Sequence, residues 1–226
     1  MIVTKARIAE LFNEQVKRVL ALQYPQKAGM RTVDFIETIN PLWDQIGQLE
    51  ESMEMESSHL PVALVVPFSL VSVRDQVQSI LSRDGNIQKF SSVSDEDLSD
   101  FHGFHGTEHK NKPYLIFNAR IDGNATPAEG HAITVAAMDI SDWYFTFSVT
   151  NRFPLSAEEG LALFTHFEIG LGLYGFAFLG SRASGRRVPN LVETDMVIEL
   201  RADEQSLYEN AMFWGAVSCK KRIYSR

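Results

Sequence analysis

Residues 62–66 are aliphatic at every position and stand between Pro61 and Pro67. A strand with one face in solvent alternates apolar and polar residues, so an unbroken run is typical of a strand buried on both faces. The first quarter of the chain has a different pattern, because its apolar residues recur at the 3.6-residue period of an amphipathic helix. These residues are Ile8, Leu11, Phe12, Val16, Val19 and Leu20. The change predicts an α+β fold in which an N-terminal helical hairpin packs on a mixed β-sheet.

Helix boundaries in the first quarter are indicated by prolines and by residues that cap helices. Pro25 and Gly29 are expected to end the first helix. Thr32 suits the N-cap of a short second helix. Asn40 and Pro41 suit the N-cap and first position of a third, because proline loses no hydrogen bond there. We therefore assign residues 1–56 to a helical segment and residues 57–226 to an α+β core domain, which together are expected to form one compact unit.

Later parts of the chain carry signals for one further helix and several strands. Ser72, followed three residues later by Asp75, resembles a capping box and predicts a helix. Near the end of the chain, short apolar runs predict strands. These runs are residues 176–179, 188–192, 196–200 and 212–217. The basic residues 220–226 are expected to be frayed.

Residues 114–132 and 144–162 resemble each other at a spacing of 30 residues. In both segments a hydroxyl residue, Thr126 or Ser156, precedes a glutamate by three positions, which is the signature of a capping box. The pattern predicts strands at 114–119 and 144–149 and helices that begin near Pro127 and Ala157. One interpretation is a duplicated strand-turn-helix unit covering 114–135 and 144–166. The other is two generic units that share only a common capping signal.

Charge and cysteine content limit the class of protein. The net charge of −8 opposes binding to phosphate backbones, so we expect no nucleic-acid partner. Cys219 is the single cysteine, which excludes an intrachain disulfide and fits a reducing compartment; it is expected to be a packed core thiol. The apolar stretch 60–71 is shorter than the roughly 20 residues of a membrane-spanning helix, and the N-terminus lacks the apolar core of a signal peptide. The sequence therefore predicts a cytoplasmic protein without a membrane partner.

Two motifs that suggest a cofactor or a metal have the wrong context. Residues 170–175 match G-x-G-x-x-G, but a predicted helix precedes them and a predicted strand follows, the reverse of a dinucleotide site. Segment 102–109 contains three histidines and one glutamate, but Gly103 and Gly106 oppose the helix that would align them as ligands. We expect no cofactor and no metal. His166 lies near the end of a predicted helix, where the helix dipole favours a positive charge.

The loop 180–187, with the sequence GSRASGRR, is the best site candidate. It differs from a nucleotide-binding P-loop because arginine replaces the lysine and Pro189 opposes a following helix. Guanidinium groups and exposed backbone amides can nevertheless bind phosphate or carboxylate. The predicted anion- or partner-binding residues are Ser181, Arg182, Arg186 and Arg187. The alternative is a solvated basic turn whose arginines pair with nearby acids.

Several short segments resemble a family of uncharacterised bacterial proteins known only as a domain of unknown function. They include Pro154-Leu155, Glu159-Gly160, residues 179–182 and residues 186–189. The similarity covers most of the chain, is densest over 154–189 and weakens after Glu193. The resemblance implies that the loop around 180–189 belongs to a recurring pattern, and it implies no reaction, substrate or catalytic residue.

We therefore expect a non-enzymatic binding or accessory protein whose loop at 180–187 contacts a small anion or a protein partner. The alternative is a hydrolase or transferase acting on a phosphorylated or carboxylated small molecule. An enzyme should bring these arginines together with a second titratable group in a concave pocket. A binding module should present them on an open face.

Overall fold

The computed structural model describes residues 1–55, 59–81, 87–100, 111–122, 140–169, 175–184, 187–194, 197–204 and 214–224. Six helices lie within these residues. They are α1 (Lys5–Ala21), α2 (Tyr24–Lys27), α3 (Thr32–Gly47), α4 (Val73–Gln78), α5 (Ile140–Val149) and α6 (Ala157–His166). None of these helices is long and apolar enough to cross a membrane.

The first strands of the described chain are short, apart from the buried β3 and the long β6. They are β1 (Ile2–Thr4), β2 (Ser52–Glu54), β3 (Leu60–Val65), β4 (Gln88–Ser91), β5 (Ser99–Asp100), β6 (Tyr114–Asp122) and β7 (Phe153–Pro154). The remaining strands form most of the C-terminal quarter. They are β8 (Gly175–Ala177), β9 (Ser181–Arg182), β10 (Val188–Thr194), β11 (Val197–Asp203), β12 (Trp214–Cys219) and β13 (Lys221–Tyr224).

Nine of these strands form one mixed sheet. Its main path runs β13-β6-β12-β8-β10-β11-β4, with β3 added on β6 and β7 on β12. The pairs β11–β4 and β12–β8 are parallel, and the other pairs in this sheet are antiparallel. Strands β1 and β2 form a separate antiparallel pair, as do β5 and β9. The predicted α+β fold, with N-terminal helices and a mixed sheet, is confirmed.

Strand β3 is buried on both faces, as its aliphatic run predicts. Val62 and Leu64 join the hydrophobic cluster that contains Phe12 of α1 and Phe35 of α3. Ala63 and Val65 join the opposite cluster, which contains residues of α4 and α6. The N-terminal helices therefore cover one face of the sheet here, and α4 and α6 cover the other.

Side chains from both helical layers bond the backbone of β3. The buried Gln15 donates from Nε2 to the Val62 carbonyl at 2.8 Å and accepts from the Leu64 amide at 2.7 Å. His166 Nε2 lies 2.9 Å from the Leu64 carbonyl. Burial lowers the pKa of His166 to about 4, so the ring is neutral in the folded protein. The predicted role of His166 as a cation at the end of α6 is therefore wrong: the ring is buried against β3.

The helix boundaries predicted from prolines are only partly correct. Helix α1 ends at Ala21, before Pro25, which lies in the first turn of α2. Helix α3 is one continuous helix from Thr32 to Gly47 and contains Pro41, where two helices had been expected. Proline removes one helical hydrogen bond, but the buried stripe of α3 continues through it. The stripe consists of Phe35, Ile39, Leu42 and Ile46.

The strand predicted at 144–149 is wrong, because these residues form part of helix α5, and the interpretation of the repeat as a duplicated strand-turn-helix unit is lost with it. Tyr144 and Phe147 are three residues apart, which places them on one face of a helix and on opposite faces of a strand. Phe147 is 2% exposed while Phe145 is 70% exposed, in accord with a helical face. The strand at 114–119 and the helix beginning at Ala157 are confirmed. The helix expected near 127 lies outside the described residues.

Most of the C-terminal predictions are confirmed. Strands β8, β10, β11 and β12 overlap the four short apolar runs. The segment expected to be frayed instead contains β13, which pairs with β6 from Tyr114 to Phe117. Cys219 is fully buried, and burial raises the pKa of its thiol to about 12, as expected of a core thiol. Ser72 caps α4 by accepting from the Asp75 amide.

Candidate binding pocket

The loop at 180–187 directs Ser181 and Arg182 into the protein. Ser181 and Arg182 are buried in β9. The Ser181 hydroxyl accepts a hydrogen bond from the Ala157 amide at the start of α6, at 3.0 Å. The Arg182 guanidinium donates to the carbonyls of Leu179 and Ser181 at 3.1 and 2.7 Å and to the Tyr144 hydroxyl at 2.9 Å. These contacts connect β9 to α5 and α6, which is a structural role.

Arg187 lies nearer the surface and bonds its own loop. Its guanidinium donates to the Ser184 carbonyl at 3.0 Å and to the Ser184 hydroxyl at 3.3 Å. That hydroxyl in turn donates to Asp97 at 3.2 Å. Hydrogen bonds from Ser94, with smaller contributions from Ser184 and Arg187, hold the pKa of Asp97 below its ordinary value. Arg186 lies outside the described residues.

A second region stands out where β6 changes partners. Residues 114–117 of β6 pair with β13, whereas residues 120–122 pair with β12. Asn118 lies between these two registers with φ 53°, a left-handed conformation that asparagine tolerates better than most residues. Lys220 forms the matching corner between β12 and β13, and its amide bonds the Phe117 carbonyl at 3.1 Å. Such irregular positions in a strand re-aim side chains and are frequent beside functional sites.

Arg152 holds this irregular position from within the protein. It is 5% exposed. Its Nε donates to the Ser218 hydroxyl at 2.8 Å, and its NH2 donates to the carbonyls of Asn118 and Ser218 at 2.5 and 3.2 Å. Its NH1 also donates to Asn118 Oδ1 at 3.3 Å. One guanidinium therefore fixes the backbone of both strands and the orientation of the Asn118 amide.

His59 contacts the same amide oxygen. The ring is 5% exposed and lies just before β3, with Nδ1 at 2.5 Å from Asn118 Oδ1. Arg152 also donates to this atom, which identifies it as the amide oxygen, and an oxygen of this kind only accepts. His59 Nδ1 is therefore the donor, and in the neutral ring Nε2 is the basic nitrogen. The network Arg152–Asn118–His59 fixes both the position and the tautomer of the imidazole.

His59 and Asn118 line an open pocket of about 480 Å³. This volume is within the roughly 300–1,000 Å³ usual for small-molecule sites. The lining residues are Met1, Ile2, Glu54, Met55, His59, Asn118 and Lys220. Lys220 and Glu54 are exposed charged residues of opposite sign in the lining. The buried Arg152 adds a second positive charge behind Asn118. We call this cavity the His59–Asn118 pocket.

Sequence patterns did not indicate this pocket. Asn118 was the one available signal, because asparagine is depleted in strands and suited to left-handed backbone, and it interrupts an aromatic and aliphatic run. His59, Arg152 and Lys220 lie far apart in the chain. They meet because β3 and β12 both pair with β6, a pairing that no local pattern predicts.

Within the described residues, no group of three or more histidine, cysteine, aspartate or glutamate side chains is placed to hold a metal. The histidine-bearing segment 102–109 and residues 170–174 of the G-x-G-x-x-G motif lie outside the described residues. No family model, no curated protein and no solved structure matches this chain. The resemblance to a family of uncharacterised bacterial proteins stays a prediction.

Proposed function

We propose that this protein is a binding protein for a small anionic molecule and that the ligand occupies the His59–Asn118 pocket. The observation that carries the proposal is the buried Arg152–Asn118–His59 network beneath a pocket whose lining includes Lys220. The proposal keeps the binding function expected from the sequence and moves the principal contact surface away from the loop at 180–187.

Preorganisation supports this choice. Arg152 bonds two backbone carbonyls and two side chains, so the Asn118 and His59 side chains are held before any ligand arrives. A site that is already ordered loses less conformational entropy on binding. Lys220, by contrast, is exposed and can move onto a ligand. A carboxylate or phosphate group accepts charge-assisted hydrogen bonds from such an ammonium group.

Glu54 limits the charge of the ligand. Its carboxylate lines the same pocket and repels a second anion. The arrangement therefore suits a ligand with one or two negative charges near Lys220, and it disfavours a polyanion such as a nucleic acid. The acidic net charge of the whole chain acts in the same direction.

One observation favours the alternative of a hydrolase or transferase. The His59–Asn118 hydrogen bond resembles the pairing of a catalytic base with the residue that orients it. Among the described residues that line the pocket, none carries a hydroxyl or thiol nucleophile. His59 would then have to act on water or on the ligand itself. Binding is the simpler function of these groups. The loop at 180–187 remains a second candidate contact surface through Arg187.

The test is calorimetric titration of the wild type with inorganic phosphate and with acetate, compared with Lys220→Gln and Lys221→Gln. Lys221 is the matched control, because it is an exposed neighbour that does not line the pocket. Loss of a charge-assisted contact should weaken binding by about tenfold or more in Lys220→Gln. Lys221→Gln should bind like the wild type. Equal affinities in the two variants, or no binding of either anion to the wild type, would exclude this pocket as an anion site.

A further inference from the structure

An apolar groove adjoins the His59–Asn118 pocket. The groove has a volume of about 310 Å³ and shares Met1 and Ile2 with the pocket as a common wall. Its other apolar lining residues are Val3, Leu11, Pro61 and Phe167. Pro61 follows His59 by two positions along the chain, so the polar and apolar sections are adjacent at the start of β3.

The shared wall is itself apolar and exposed. Met1 is 60% exposed and Ile2 is 69% exposed. Val3, the next residue of β1, is buried and anchors this wall to the N-terminal hydrophobic cluster. Large apolar side chains that rim a cavity mark ligand grooves more often than isolated surface positions do. A ligand with an apolar chain would cover Ile2 while its polar end reached the pocket.

The charges indicate which end of the ligand lies where. Arg7 lines the groove, but its guanidinium lies 3.1 Å from a Glu10 oxygen and 4.0 Å from a Glu14 oxygen. Those carboxylates offset its charge. The Met1 ammonium, in the shared wall, donates to the Met55 carbonyl at 2.6 Å. Lys220 is therefore the cationic side chain best placed to receive an acidic group, at the end of the cavity that also contains His59 and Asn118.

We propose that the ligand is a monomeric amphiphilic acid, with its carboxylate beside Lys220 and its apolar chain in the groove between Ile2 and Phe167. This inference rests on the proposed anion-binding function and specifies the ligand class. Both sections are open to solvent, so the acid enters directly from water.

Chain length provides the test. The wild type is titrated by calorimetry with straight-chain carboxylates from acetate to decanoate, each below its micellar concentration. Burial of one methylene should tighten binding by about fourfold until the groove is filled. Octylamine, which has the opposite head-group charge, should bind at least about tenfold more weakly than octanoate.

Two surface variants test the groove. Ile2→Ser should flatten the dependence of affinity on chain length, because Ile2 forms the apolar wall that the chain of the ligand would cover. Val33→Ser is the matched control, because Val33 is an exposed aliphatic residue that lines neither cavity, and it should behave like the wild type. Retention of the full chain-length dependence in Ile2→Ser would overturn the groove assignment.

The remaining outcomes separate this inference from the function on which it rests. Lys220-dependent binding of acetate with no gain from longer chains would overturn the amphiphile and leave the anion pocket in place. Absence of any Lys220-dependent binding would overturn both the amphiphilic ligand and the anion-binding function of the pocket. Binding to phosphatidylglycerol vesicles without binding to monomeric octanoate would overturn the proposal in favour of a lipid surface, and equal affinity for octylamine and octanoate would overturn the assigned head group.

Discussion

Arg222 of β13 and Glu159 of α6 form a bidentate ion pair in the interior, with Nε at 2.5 Å from Oε1 and NH2 at 2.8 Å from Oε2. Their side chains are 7% and 0% exposed. Glu159 also accepts from the Ser156 amide, so the pair connects the first turn of α6 to the last strand. Burial alone would lower the pKa of Arg222, but the Glu159 carboxylate outweighs it and holds the pKa above its ordinary value.

Replacing Arg222 by methionine should destabilise the protein by about 3–5 kcal/mol, because the Glu159 carboxylate would remain buried without its counter-ion. Arg201→Met is the matched control. Arg201 pairs with Asp203 at 2.9 Å but is 37% exposed, so its loss should cost about 0–1 kcal/mol. The free energy of unfolding from urea titration measures both. Similar losses of unfolding free energy in the two variants would show that the buried pair contributes no more to stability than the exposed pair.

Replacing Gly160 by alanine should destabilise the protein although alanine favours helices. A Cβ at this position would lie 2.0 Å from Cε1 of the fully buried Phe178. Overpacking of this kind costs about 1–3 kcal/mol. Gly47→Ala is the control, since nothing lies within 4 Å of its added Cβ at the end of α3, and it should be neutral or stabilise by up to about 1 kcal/mol. Thermal unfolding would contradict the prediction if Gly160→Ala melted at or above the wild-type temperature.

The elements predicted correctly from sequence are those whose signals are local. The capping box of Ser156 and Glu159 depends on residues three apart, and both of its hydrogen bonds form. The aliphatic run of β3 likewise predicts burial on both faces. Prediction failed where tertiary packing decides the outcome. Pro41 remains inside α3 because the buried stripe outweighs one lost hydrogen bond.

The candidate site was the part least accessible from sequence. The arginines of loop 180–187 predict an anion site, yet the guanidinium of Arg182 turns inward to backbone carbonyls. The pocket depends on the contact between His59 and Asn118, which are 59 residues apart. Contacts of that range follow from strand pairing, and a single sequence does not specify which strands pair.

The two described arginines of the loop should respond differently to substitution. Arg182→Ala should destabilise the protein by about 2–3 kcal/mol, because it leaves the Leu179 and Ser181 carbonyls without a charged donor. Arg187→Ala should change stability by less than about 1 kcal/mol, since Arg187 is partly exposed and its hydrogen bonds within the described residues go to Ser184 of its own loop. Urea titration of both variants gives the comparison. If Arg187→Ala lost phosphate binding while Lys220→Gln retained it, the anion site would lie at the loop 180–187 and not at the His59–Asn118 pocket.

Stability should fall as the pH decreases through the titration range of His166. Burial, with a further contribution from the charge of Arg18, lowers its pKa from 6.5 to about 4. The unfolded chain therefore takes up the proton first. The stabilisation is complete above about pH 6.5 and is lost progressively as the pH falls toward 4, and the full difference corresponds to about 3 kcal/mol.

His166→Gln removes this titration and keeps an amide donor for the Leu64 carbonyl. Other groups titrate in both proteins, so the measured quantity is the difference between their unfolding free energies at pH 7.0 and pH 4.5. The wild type should lose about 2–3 kcal/mol more than His166→Gln over this interval. Parallel curves would mean that His166 becomes protonated without unfolding, and that the ring is accessible to solvent.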